Sequence, residues 1–227
     1  MNGINTWWKD LPGERYWLGV TGSDDRGELL AVPAGSPDHS PRSDHPLLAH
    51  VREGDAVFHY DQLQEAIVAW STPRGRVRQR RLYWSVPTAS AAPDLVPPQR
   101  LTSRSVGLEA VNRLEDSVPL ELIARTQWTL FPELRAFEDK VGDPLYYPFE
   151  MGSPSETSLL PGYVFKLPAL FVESFFALAL VARQVPWAGE ARAQAVAPSR
   201  AVAGPREAPW SGAPRATVAF ATRPGSR

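Results

Sequence analysis

The stretch from Gly54 to Ser71, GDAVFHYDQLQEAIVAWS, constrains the fold more than any other part of the chain. Val57, Phe58 and Tyr60 lead in, and Ile67, Val68, Ala69 and Trp70 lead out. The polar segment Asp61 to Glu65 between them suits a short connection, so the pattern predicts a β-hairpin. Gly54-Asp55 is a turn signal before the first strand, and Pro73-Arg74-Gly75 closes the second. A chain that carries this hairpin at its centre has to build a sheet around it.

The remaining strands are read outward from the hairpin. Residues 15–20 predict a strand on the N-terminal side, after the adjacent pair Trp7-Trp8. Asp24 to Gly27 reads as a turn and Glu28 to Val32 as a second strand. Residues 33–46 hold four prolines in a polar setting and predict a surface loop. After the hairpin, Arg76 to Val86 (RVRQRRLYWSV) predicts a strand, and residues 87–100 a second loop. Val106, Leu108, Val111 and Leu114 recur at roughly helical spacing, as do Leu120, Ile123, Trp128, Leu130 and Leu134, with Pro132 a break or a new start. A helical insert over about 101–142 is therefore expected. Short strands are expected at Leu145–Phe149 and Tyr163–Leu167. A final helix opens at Pro168, where proline fits the first turn, and runs to about Val181.

Charge separates the chain into two parts. The 227 residues sum to −1, but residues 183–227 carry seven arginines against Glu190 and Glu207. That segment is rich in alanine, proline and arginine and has too little apolar surface to offset its ordering entropy, so a disordered tail is expected. Residues 1–182 form the folded unit. The class expected is α+β, a small, strongly curved mixed sheet or open β-barrel with flanking helices.

Composition removes several chemistries. There is no cysteine, so disulfides, thiol nucleophiles and thiolate metal sites are excluded. The N-terminal segment has no basic start followed by an apolar run, and no apolar stretch reaches ~18 residues. A cytoplasmic protein without a membrane span is expected. No glycine-rich phosphate loop and no serine–histidine–aspartate arrangement is present. No cofactor and no metal site is expected, and Asp24-Asp25 with Glu14 is better read as a turn than as a carboxylate cluster.

The order of motifs resembles a known family. Gly27 to Pro33 (GELLAVP), Val51 to Tyr60 (VREGDAVFHY), Ile67 to Ser71, Tyr83-Trp84, Leu145 to Glu150 (LYYPFE) and Gly162 to Pro168 (GYVFKLP) together resemble the EVE-type domain of the PUA-like superfamily, related to YTH and ASCH domains. The resemblance covers roughly residues 5–182. It is nearest to the modified-cytosine-reading half of restriction endonucleases that carry an HNH nuclease. It implies a PUA-like open barrel whose aromatic pocket takes one flipped, modified base. Where many relatives have a tryptophan in the glycine-led strand, this chain has Ala31, and Trp70 stands as a replacement for that wall. The nuclease half has no counterpart here. All four histidines (His39, His45, His50, His59) precede residue 60, so no catalytic residue is assigned and a separate or lost fused nuclease is the implied partner.

The expected base pocket comprises Trp7, Trp8, His59, Tyr60, Trp70, Ser71 and Trp84. Arg74, Arg76, Arg78 and Arg80 alternate, so on a strand they share one face and attract phosphates; Lys166 is a further phosphate candidate. The expected partner is nucleic acid, namely double-stranded DNA with a modified base. An RNA-binding PUA-like module and a truncated, non-catalytic remnant of a restriction endonuclease are the alternatives.

Overall fold

The structure, a computed structural model, describes residues 4–21, 28–33, 44–84, 99–150 and 157–185. The expected turn at Asp24–Gly27, residues 34–43 and 87–98 of the two expected loops, and the expected tail from residue 186 onward lie outside the described residues. In chain order the elements are a 3-10 helix (Trp7–Asp10), β1 (Tyr16–Thr21), β2 (Leu29–Pro33), α1 (Asp44–Leu48), β3 (Ala56–Asp61), β4 (Ala66–Ser71), β5 (Pro73–Trp84), β6 (Gln99–Leu108), β7 (Asn112–Pro119), α2 (Leu120–Val141), β8 (Phe149–Glu150), β9 (Ser158–Leu159), β10 (Val164–Leu167), α3 (Ala169–Glu173) and α4 (Phe176–Gln184). The architecture is α+β. Five strands form one sheet in the order β10-β1-β3-β4-β7, three form a second in the order β2-β6-β5, and β8 pairs with β9. The described strands thus form separate sheets and are not closed into one barrel.

The hairpin is β3–β4, and β3 is the middle strand of the larger sheet, parallel to β1 and antiparallel to β4. Asp61 fixes the connection, its carboxylate accepting from the backbone N–H groups of Leu63 and Gln64 and from the Gln64 side chain, an Asx-type turn. Alternation sends the side chains of β3 to two different cores. Phe58 and Tyr60 join Tyr16, Leu18, Ile123, Leu134 and Phe171 on the side of α2, α3 and α4. Val57 joins Trp17, Leu30, Val32, Leu48 and Val106 on the side of the three-stranded sheet and α1. A strand buried on both faces explains why its sequence is apolar without a clean alternation.

Several elements differ from the sequence reading. Residues 101–119, expected to be helical, form β6 and β7. The apolar spacing there fits either period, and pairing decides it: β6 with both β2 and β5, and β7 with β4. Only α2 is helix in that region. It runs unbroken through Pro132, because Ile123, Gln127, Leu130 and Leu134 form one buried stripe whose packing outweighs the missing hydrogen bond. Gly142 ends it in the left-handed conformation (φ 76°), its N–H bonding to Glu138 O. Leu145–Phe149 is a strand only from Phe149. Trp7-Trp8 begin a 3-10 helix, an element with no counterpart in the sequence reading. The C-terminal helix is two, α3 and α4, parted where Phe175 turns extended and buries its ring 4.9 Å from Phe171. α4 continues to Gln184, past the expected domain edge at 182. No helix among the described residues is long and apolar enough to cross a membrane.

Lys166, expected at phosphate, is fully buried. β10 pairs Lys166 with Trp17 of β1, and its Nζ donates to Tyr16 O and Leu167 O, both at 2.9 Å. Nζ lies 3.6 Å from a Glu14 carboxylate oxygen and 5.3 Å from the ring centres of both Trp7 and Trp17. Glu14 in turn accepts from Ala169 N at the start of α3. Asp55 accepts from Trp17 Nε1 at 2.8 Å and from Arg52 N at 2.9 Å. Burial lowers the Lys166 pKa to about 8 against the opposing pull of Glu14 and Asp55, and burial raises Glu14 against the pull of Lys166. The lysine is a structural cation. Replacing one member of such a buried pair strands the other, so Lys166→Ala is expected to cost about 3–5 kcal/mol of unfolding free energy by urea titration. Lys166→Met combined with Glu14→Gln is expected to recover part of that loss, since neither side is then left charged and unpaired.

Candidate nucleic-acid interface

β5 and β6 carry the strongest charge feature of the described residues. Arg74, Arg76, Arg78, Arg80 and Arg81 on β5, and Arg100 and Arg104 on β6, are all exposed, and neither strand contains an acidic residue. The rest of residues 1–185 carries 11 lysines and arginines against 23 aspartates and glutamates, a net of −12. The cations are therefore gathered on one sheet of an otherwise acidic body.

Strand register assigns them to faces. In an antiparallel pair, directly opposed residues share a face. Arg74 opposes Gly107, Arg78 opposes Ser105, and Arg80 opposes Ser103. Arg74, Arg78 and Arg80 share a face as the alternation predicts. Arg76 falls in the irregular stretch between Arg74 and Arg78, where Gly75 takes φ 76° and the ladder is interrupted. The other face carries Arg81 opposite Thr102, Gln79 opposite Arg104, and Tyr83 opposite Arg100. Arg100 and Arg104 were not among the residues expected from sequence, because their segment reads as a loop end and a helix. The signal that finds them is their period-two spacing once β6 is recognised as the partner of β5.

Charge on an edge strand also serves to discourage edge-to-edge pairing. That accounts for some of β5, the edge of its sheet. It does not account for Arg104, which lies where β6 is paired with β2 on one side and β5 on the other.

The expected pocket residues are not gathered in one cavity of the described residues. Trp8 is buried, edge-on to Trp17, His50 and Tyr146. Trp7 is half-buried between Trp8 and Phe137 of α2. Tyr60 is buried against Phe149. These three are packing residues. Trp70 opposes Phe58 and shares its face, so it points toward the helices. There it lines a cleft of about 140 Å³ with Arg113, Asp116, Phe176 and Gln184. Ala31 lies on the other sheet, opposite Ser105, so Trp70 does not replace a wall there. A larger cleft, about 520 Å³, lies between α2 and residues 144–150 and is lined by none of the expected residues.

His59 and Ser71 do come together. Both lie on the β3–β4 face shared with Val57, and His59 Nε2 is 2.8 Å from Ser71 Oγ. His59 Nδ1 is buried without a partner. The space before it is tight: a β-carbon on Gly19 would sit 3.9 Å from Nδ1 and only 2.7 Å from Leu30 Cδ1. Trp84 stands apart on β5. It is half-buried, donates from Nε1 to Ser103 Oγ at 2.7 Å and meets Tyr163 edge-on at 4.9 Å. Ser105 Oγ, on the same face, is buried without a partner. No group of three or more histidine, cysteine, aspartate or glutamate residues among the described residues is placed to hold a metal.

No family model matches the chain, and no curated protein matches it. Among solved structures, the N-terminal domain of Staphylothermus marinus McrB is similar at 13% identity with a TM-score of 0.38, over 77% of this chain and 96% of that one. A likeness at that level assigns neither family nor function.

Burial lowers the His59 pKa from 6.5 to about 4. The unfolded chain then takes up this proton first as pH falls, so stability held above pH 6.5 is lost progressively down to about pH 4. Between about pH 7.5 and pH 5 the loss from this group is about 2 kcal/mol. His59→Gln is expected to remove that share of the acid sensitivity, read as the difference in urea unfolding free energy between the two pH values for each protein.

Proposed function

We propose that this chain is a nucleic-acid-binding module that lays the arginine-bearing β5–β6 ribbon on phosphates and reads a modified base, a modified cytosine in double-stranded DNA. The observation that carries the first part is the concentration of seven exposed arginines on two acid-free strands beside a body of net charge −12. Such a ribbon attracts a polyanion to either of its faces and holds it with salt-dependent affinity.

The second part rests on the sequence resemblance to EVE-type, PUA-like readers and on His59. A base out of the stack needs an enclosed slot with a polar atom for its edge. His59 Nδ1 is buried and without a partner, while Ser71 holds the ring through Nε2. Entry of a base requires Leu30 to move from the position it takes before Gly19. The chain cleaves nothing itself in this reading, and a nuclease partner or fused nuclease supplies that step.

Fluorescence anisotropy on duplexes with and without 5-methylcytosine, at several salt concentrations, tests both parts. Binding is expected to weaken with a log–log salt slope of about −3, at ~0.9 per phosphate neutralised by the arginines of one ribbon face. Changing Arg78, Arg80 and Arg104 to alanine is expected to flatten the slope by about 2–3 on either duplex. Negligible binding to both duplexes overturns the module; equal, measurable binding to both overturns the modified-base reading alone.

A further inference from the structure

Tyr83 is the conspicuous side chain of the ribbon that phosphate binding does not use. It is 72% exposed, an unusual position for a ring on a strand that also carries Trp84 in a half-buried, hydrogen-bonded place. Strand register sets Tyr83 directly across from Arg100, and the guanidinium carbon of Arg100 lies 5.9 Å from its ring centre. The next positions on the same face hold Arg81 opposite Thr102, then Gln79 opposite Arg104. The Arg100 guanidinium sits over one side of the ring, the ring is otherwise largely open to solvent, and Arg81 and Arg104 lie further along the same strand face.

We propose that this face of β5–β6 is a platform for single-stranded nucleic acid, with one unpaired base stacked on Tyr83 and the flanking phosphates on Arg81, Arg100 and Arg104. A base has a π-face whatever its identity, so an exposed aromatic ring on a basic sheet surface binds unpaired strands with little sequence preference. A paired base cannot use the ring, because its faces are covered by its neighbours in the stack. The opposite face of the ribbon, with Arg78 and Arg80, has no exposed ring: Trp84 is engaged with Ser103 and Tyr163. The two faces therefore differ in the ligand they suit. The proposal rests on the nucleic-acid reading above and names a second ligand class for it.

The test uses the full chain and three probes: a 12-nucleotide oligothymidylate, the same backbone with abasic sites, and an unmodified duplex. Wild type is expected to prefer oligothymidylate to the abasic strand. Tyr83→Ala is expected to weaken oligothymidylate binding by about 5-fold or more, the range set by base–aromatic stacking, and to leave abasic-strand and duplex binding unchanged. Tyr83→Phe is expected to bind like wild type, since the ring and not the hydroxyl makes the contact. The side chain is exposed, so folding is not at issue in either variant. Equal affinity of wild type and Tyr83→Ala for oligothymidylate overturns the platform, as does a Tyr83→Phe loss as large as that of alanine. The Arg78, Arg80 and Arg104 triple variant separates the two readings. If it weakens all probes while Tyr83→Ala is silent, the platform alone fails; if no probe binds wild type at all, the nucleic-acid reading fails with it.

Discussion

The buried ammonium of Lys166 is the interaction on which the arrangement of the larger sheet depends. A cation without water must find its compensation in fixed places. Here the compensation comes from segments far apart in sequence: Glu14 before β1, the carbonyl of Tyr16 in β1, the faces of Trp7 and Trp17, and Leu167 at the end of β10. Because Glu14 also receives the first N–H of α3, one ion pair ties the N-terminal segment, β1, β10 and the C-terminal helices together. It also fixes which way β1 faces. Trp17 turns to the second sheet, Tyr16 and Leu18 turn to the helices, and parallel pairing passes that choice on to β3. The position of His59 beside Gly19 follows from this orientation.

Much of this was legible before the structure. The hairpin could be read because its strands are apolar and its turn is chemically explicit in Asp61. β1, β10 and α2 could be read from their periodicity. Residues 106–119 could not, because Val106, Leu108, Val111 and Leu114 satisfy helical spacing as well as they satisfy two short strands. The decision there is made by β2 and β5 for the end of β6 and by β4 for β7, all more than twenty residues away in the sequence, and strand propensity depends on such context more than helix propensity does. The same error hid Arg100 and Arg104. Lys166 was misread for a related reason. A lysine amid Val164, Phe165 and Leu167 has its surroundings written in sequence, yet the eye assigns an ammonium to solvent. The apolar run was the better guide.

The two features with a claim on function differ in what they can recognise. Phosphate contacts set position and orientation and carry no information about the base. An acidic body with a basic ribbon suits that role, since the body repels a polyanion that meets it elsewhere. In the proposed reading the ribbon would hold modified and unmodified strands alike, and more ribbon charge would only raise the background that a reader must overcome.

Discrimination by a methyl group has little energy to draw on, about 0.8 kcal/mol for its burial, or roughly a four-fold preference. A larger ratio requires a slot that penalises the wrong base, and a slot penalises only if its walls do not give way. This places the demand on β3, which is packed on both faces and flanked by β1 and β4, and not on β5–β6, whose side chains are mostly exposed. His59 suits that requirement in the proposed reading: its ring is buried in the central strand and held through Ser71, its Nδ1 has no partner, and Gly19 and Leu30 close the space around it. A modified-base reader built on this chain must pair a rigid histidine with a movable leucine, so that selectivity arises at the interface of the two sheets and affinity on the ribbon beyond it.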